Sequence, residues 1–408
     1  MTREYHHEEW PNGVRLAVRT KPGFAGAALG LWLVNGVRHQ TPGEDGHAHL
    51  LEHFLLEGPE PGQGRLRAYE RLGGRVNAQT GRELTALHGT VPAARAPELA
   101  RILAEAVPPR PLGREALDRA RATVDREREA WATNPATRLE ERALGAALGD
   151  DPLARPLLGE ADALARATPA SLARYWSSVA RGGRVLVAAA GNVDPAELAE
   201  ALAPLRDLPA GGPPEVTPPR WHGPVRAAPS RADGFGQLLW LLPAPGAASP
   251  WRPTARLANH ILGEGMDSRL DRKLRHEAQL AYRFRAHQET YSDQGLWWLE
   301  VDTDPEWRDA CRRVVEEAVR ELAAEGPTDA ELEDAVAHWR AVAALQRDDL
   351  LVEMEALALG GLHGAGDLAE ADLESVTPEG VRELVADAWG RRVAPPAELP
   401  ASARHSIH

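Results

Sequence analysis

The sequence predicts an α+β protein made of two homologous halves, each an α/β roll in which a mixed, mainly antiparallel sheet is covered by helices. Three observations predict it. Strand-like apolar runs and helical periodicities are intermixed rather than strictly alternating. The order of elements in the first half recurs in the second. A Pro/Gly-dense stretch, LPAGGPPEVTPPRWHGP, excludes helix or central strand and reads as an extended connector. The expected division is 1–207, a connector at 208–224, a second half at 225–394 and a disordered tail at 395–408. Each half is long enough to bury a core of its own.

The elements follow in order. PNGVRLAV turns into a strand, and the apolar run 29–34 is a second strand leading to a helix over HLLEHFLLEG. LGGRVNAQTGRELTALHGTV alternates about a Gly-containing turn and reads as a hairpin. PELARILAEAV and REALDRARATVDREREAW are helices, although the Ala/Arg bias inflates helix propensity between Ala93 and Ala146. TPASLARYW has Thr at a helix N-cap and Pro in the first turn, and the strand VLVAAAGNV then returns to the sheet. In the second half the run 238–242, RLANHILGEG, PEWRDACRRVVEEAV, DAELEDAVAHWRAVAALQRDD and TPEGVRELV occupy matching places.

Composition narrows the function. The net charge of -13 disfavours nucleic acid and anionic membranes and favours cationic peptides. No apolar run approaches membrane-spanning length. The one cysteine, Cys311, excludes an internal disulfide, and the polar start MTREYHHEEW lacks the apolar core of a signal peptide. A cytoplasmic location is expected.

Most informative is GHAHLLEHFLLEG, which carries His49, Glu52 and His53 in H-x-x-E-H order on a helix. Residues four apart share a helix face, so His49 and His53 can present two imidazoles to one Zn²⁺. Glu52 then lies beside them, able to take a proton from a water at the metal. His47 is offset to another face and has Leu51 where a second ligand would be needed. In the second half Arg256, Asn259 and His260 stand where His49, Glu52 and His53 stand in the first, so that copy cannot hold zinc. His260 reads as a packed helix histidine.

The segments PNGVRLAV, GLWLVNGVRHQTPGEDGHAHLLEHFLLEG and LGGRVNAQTGRELTALHGTV, in that order, resemble the N-terminal half of the insulinase/pitrilysin family of inverted-motif zinc peptidases. The resemblance runs from Trp10 to about Asn134. It implies a third ligand, a glutamate on a later helix, for which Glu127 and Glu129 are both in the window. Only one can face the metal, because a helix separates them by about 200°. Glu127 fits better, since the loop between Gly58 and Gly64 is about two residues shorter than is usual in the family while spacing from Asn77 onward is unchanged; that register rests on the resemblance. One departure stands out. Where the family carries a further glutamate two turns earlier, this chain has Ala120, and losing such an orienting carboxylate weakens metal affinity or activity by roughly 10–100-fold.

The stretch from Gly265 through GLWWLEVDTDPE resembles the C-terminal half of the same family, in which an Arg and a Tyr seven residues apart reach the scissile peptide. Arg275 and Tyr282 match that pair, and a guanidinium and a phenol are suited to stabilising an oxyanion. The resemblance further implies that the strand around Glu83-LTALHGTV is a sheet edge pairing with extended peptide, with the Asn77 amide beside the zinc contacting the peptide backbone. The implied whole is a zinc-dependent endopeptidase with one Zn²⁺ per chain, held by His49, His53 and Glu127, with Glu52 as general base. It would act as a homodimer on small or unfolded peptides inside a chamber. The competing expectation is a non-catalytic assembly or processing partner, which Ala120 favours.

Overall fold

In the computed structural model, which describes residues 4–58, 65–227, 236–281, 283–363 and 370–396, two sheets repeat one topology. The first half runs β1 (Glu4–Glu9), β2 (Arg15–Thr20), β3 (Gly26–Val34), α1 (His47–Glu57), α2 (Arg65–Arg71), β4 (Arg75–Thr80) and β5 (Leu84–Pro92). It continues with α3 (Ala96–Ala106), α4 (Arg114–Thr133), α5 (Pro135–Leu148), α6 (Ala161–Arg166), α7 (Pro169–Val179), β6 (Val185–Gly191) and α8 (Pro195–Ala201). The second half runs β7 (Val225–Arg226), β8 (Gln237–Pro245), α9 (Arg252–Asn259), β9 (Arg283–Thr290), β10 (Gln294–Asp302) and α10 (Arg308–Glu325). It ends with α11 (Asp329–Gln346), α12 (Leu350–His363), α13 (Glu370–Glu374), α14 (Pro378–Gly390) and β11 (Val393–Ala394).

The strand orders are β1-β2-β6-β3-β5-β4 and β7-β11-β8-β10-β9. Leaving out β1, each sheet takes its five strands in the sequence first, fifth, second, fourth, third. Pairing is antiparallel except between β2 and β6 and between β7 and β11. The chain is α+β, and the repeat read from sequence is a repeat of fold.

Both sheets are covered on both faces, which explains why β3 and β8 are apolar almost throughout. In β3, Leu29, Leu31 and Leu33 enter one core with helices of the first half, while Ala28 and Trp32 enter another. That second layer is closed by α12, whose Met354, Leu357 and Ala358 lie on Leu186 and Ala188 of β6. Glu353 of the same helix is buried and paired with Arg19 and with Lys21, the latter at 2.5 Å. The reciprocal arrangement holds in the other sheet. Leu239 and Leu241 of β8 pack with Leu139, Ala143 and Leu144 of α5. The two compact units are accordingly 1–129 with 155–216 and 344–367, and 130–154 with 217–343 and 368–408.

Thr168 and Thr377 cap α7 and α14 with Pro in the first turn, as their sequence suggests. Arg308 donates to the carbonyl of Pro396; the rest of the expected tail, 397–408, lies outside the described residues. Among the described residues no helix is long and apolar enough to cross a membrane.

Candidate metal centre

The site begins with how α1 is started. Its N-cap is Gly46, which has φ 96° and no side chain to satisfy the first N–H groups. A Cβ there would come within 2.6 Å of Leu164 and leave the backbone strained, so glycine suits the position. The missing acceptor comes from Gln40, a buried side chain whose Oε1 accepts from the N–H of Gly46 at 3.1 Å and of Ala48 at 2.9 Å. The main-chain carbonyl of Gln40 in turn accepts from Arg155. The first turn of α1 is therefore fixed by a residue six positions upstream. No local pattern marks Gln40, but a helix opening on glycine signals that a cap must come from elsewhere.

Thus anchored, α1 turns His49 and His53 to one side, their ring centroids 5.1 Å apart. The facing helix α4 contributes Glu127, whose Oε2 lies 3.2 Å from His49 Nε2 and 3.7 Å from His53 Nε2. One ligand atom from each of the three lies within 4.8 Å of the others, and among the described residues they are the one group of three or more that could hold a metal ion. Both candidate glutamates are solvent-exposed, but it is Glu127 whose carboxylate reaches the imidazoles.

The electrostatics suit a cation. Burial, then the neighbouring His53, pushes His49 down to about 4, so it is neutral and able to donate a lone pair near neutral pH. His53 Nε2 is buried and makes no hydrogen bond. Such an orphaned nitrogen in a two-imidazole, one-carboxylate set fits Zn²⁺, for which three protein ligands and an open position are the usual catalytic arrangement.

Glu52 stands beside the ligands. Burial raises its carboxyl above the ordinary value, while hydrogen bonds from Thr80 on β4 oppose the rise. Thr80 was not evident from sequence, because only the packing of α1 on β4 brings it to Glu52. Asn77 is exposed on the same strand, which forms an edge of its sheet; the edge expected around Glu83-LTALHGTV is instead an internal strand, because β5 pairs with β3 on one side and β4 on the other. His47 faces away: its Nε2 lies 3.2 Å from Ser171 Oγ and its ring meets Tyr175 edge-on. Ala120 is partly buried against the first core and offers no carboxylate.

The remaining residues singled out from sequence belong to the other unit. Arg275 is in a π-helical turn, Asp271–Glu277, and pairs with Asp271 at 2.7 Å while staying about half exposed. Tyr282 lies outside the described residues. His260 stacks on His338 with centroids 4.3 Å apart.

Comparison with known proteins gives a consistent picture. Residues 15–161 match the model of the insulinase family (peptidase family M16), and residues 166–338 match that of the peptidase M16 inactive domain. The chain is 27% identical to an uncharacterised zinc protease of Streptomyces coelicolor over 94% of its own length and 86% of that protein's. It is 28% identical to the β subunit of the mitochondrial processing peptidase of Blastocladiella emersonii, over 72% of this chain and 66% of that one. Among solved structures, a protease from Helicobacter pylori superposes with a TM-score of 0.84 at 16% identity, covering 96% of this chain and 99% of the other. That likeness is one of fold.

Proposed function

The chain belongs to the insulinase family, peptidase family M16, and on that premise we propose that it is a zinc-dependent endopeptidase whose first half carries the metal. The observation that carries the reading is Glu52 beside the His49, His53 and Glu127 cluster. A protein that only assembled with others would need neither the base nor the three converging ligand atoms.

Each residue then has a task. His49, His53 and Glu127 would hold Zn²⁺, which when bound supplies Lewis acidity toward water and the peptide carbonyl. Glu52, its basicity increased by burial, takes the proton of the attacking water and delivers it to the departing amine. The edge of β4 offers backbone hydrogen bonds to an extended peptide, with Asn77 contacting its main chain. Arg275 and Tyr282 are assigned by family resemblance to the oxyanion. The substrate class is small or unfolded peptides, enclosed by dimerisation of two identical chains in the cytoplasm. A second reading, a non-catalytic partner subunit, is supported by Ala120, where an orienting carboxylate is replaced by methyl.

Incubating zinc-loaded protein with a mixed peptide library and reading products by mass spectrometry separates the two. The endopeptidase reading expects internal cleavage that disappears, by several orders of magnitude, in Glu52→Gln while zinc content is retained. Wild-type protein that holds zinc yet cleaves nothing would support the partner-subunit reading instead.

A further inference from the structure

A buried hydrogen-bonded chain in the first half ends on Glu52, and the direction of each proton in it can be worked out. Thr85 of β5 and Asn35, the residue after β3, are both fully buried. Thr85 Oγ1 lies 2.9 Å from the main-chain carbonyl of Asn35, and a carbonyl only accepts, so the one hydroxyl proton of Thr85 is committed there. Toward the Asn35 side chain, also at 2.9 Å, Thr85 can therefore only accept. That turns the Asn35 NH2 to Thr85 and its Oδ1 to Tyr175 of α7. Tyr175 donates to that oxygen, and burial, which pushes its phenol above the ordinary value, keeps the proton in place.

Thr80 of β4 stands opposite Thr85 in the hairpin, their Oγ1 atoms 3.3 Å apart. Thr85 has no proton left for this contact, so the Thr80 hydroxyl receives none from that side and keeps its own to give. Ala78, two residues earlier and on the same face of the strand, lies in the core with α1, so Thr80 faces that helix as well. Its hydroxyl and its N–H both hydrogen-bond the Glu52 carboxylate. The hydroxyl thus has two acceptors in reach, a neutral oxygen and a carboxylate, and a bond to the charged one is roughly twice as strong.

We propose that Thr80 is a positioning residue for Glu52, holding the carboxylate at one angle with its hydroxyl and N–H while the Thr85, Asn35 and Tyr175 chain holds the hydroxyl itself. This rests on the peptidase reading, in which Glu52 moves a proton. The last torsion of a glutamate is broad, and two donors from one strand residue narrow it. Strand β4 also carries the sheet edge and the Asn77 assigned to the peptide, so one rigid element sets the base and the substrate relative to each other.

The test uses full-length, zinc-loaded protein and a labelled peptide chosen from those the wild type cleaves in the mixed library. Thr80→Val keeps the branched shape that suits a strand and removes the hydroxyl, whereas Thr80→Ser keeps the hydroxyl. Thr80→Val is expected to lower kcat by about ten- to a hundredfold, with KM within about twofold and zinc content unchanged, and Thr80→Ser to recover most of the loss. A second arm needs neither metal nor turnover. Urea unfolding of metal-free Thr80→Val, Glu52→Ala and the double variant forms a cycle, in which the double variant's unfolding constant should depart from the product of the single effects by about tenfold. Equal losses in the Val and Ser variants, a loss confined to KM, or additive stabilities overturn the proposal and leave the peptidase reading standing. Wild-type protein that cleaves no peptide ends the peptidase reading and this role together, an outcome seen before any variant is compared.

Discussion

At the scale of single residues, the candidate metal-binding set divides into what spacing declares and what only geometry selects. His49, Glu52 and His53 were legible because a helix forces residues four apart onto one face. Glu127 was not separable from Glu129 by pattern alone, since both lie in a uniformly Arg/Glu-rich helix; the approach of α4 to α1 separates them. Glu127→Ala is therefore expected to lose zinc after dialysis and Glu129→Ala to keep it, as measured by metal analysis of both proteins. A different residue-scale expectation concerns His287 on β9, which burial, then Arg285, pushes down to about 4 and which stacks on Trp298. Its folded value lies below the unfolded value of about 6.5, so the unfolded chain takes up the proton first. Its contribution to stability is present above that value and is lost as the pH falls from about 6.5 to about 4. His287→Phe keeps an aromatic ring and removes the proton site. Urea unfolding across that window should show a pH dependence shallower by up to about one proton, and an unchanged slope would mean that His287 does not titrate there.

At the scale of elements, capping is the clearest case of partial legibility. Thr168-Pro169 and Thr377-Pro378 announce their helices locally, and both caps form. The start of α1 is announced by nothing local, because its acceptor is the distant Gln40. Gln40→Ala leaves two N–H groups without their acceptor in a buried place, at a cost of about 1–3 kcal/mol. It should lower both the unfolding midpoint and zinc affinity, since the orphaned turn lies directly before His49. Gln40→Glu keeps the acceptor and adds negative charge at a helix N-terminus, so it should recover most of the loss. Calorimetry with zinc titration checks this, and equal losses in the two variants would remove Gln40 from its positioning role. What sequence could not supply is the destination of α5 and α12. An apolar stripe tells that a helix buries a face, and the sheet that receives it is decided by tertiary packing.

For the whole molecule, the repeat was legible because strands, helices and turns recur in order, and the matching sheet orders follow from that recurrence. The proposed division of the active site, with ligands in one half and Arg275 in the other, leads to a mixing experiment. If a homodimer builds each site from two chains, His49→Ala and Arg275→Ala proteins should each be nearly inactive. In the heterodimer both defects fall in one site and leave the other intact. With random exchange, half the dimers are of that kind, so activity should return to roughly a quarter of wild type. Subunit exchange seen by native mass spectrometry without recovery would rule out sites shared between chains.

The crossing of α12 onto the first sheet also sets a timetable for biosynthesis. The last strand of that sheet ends at Gly191, but the helix that covers Trp32 and Leu186 begins only at Leu350. At about 5–20 residues per second, a ribosome needs roughly 8–30 seconds to make the intervening chain. Throughout that interval the nascent N-terminal half has one sheet face without its cover, however complete its metal ligands are. The growing chain must be kept from its neighbours until α12 has been translated.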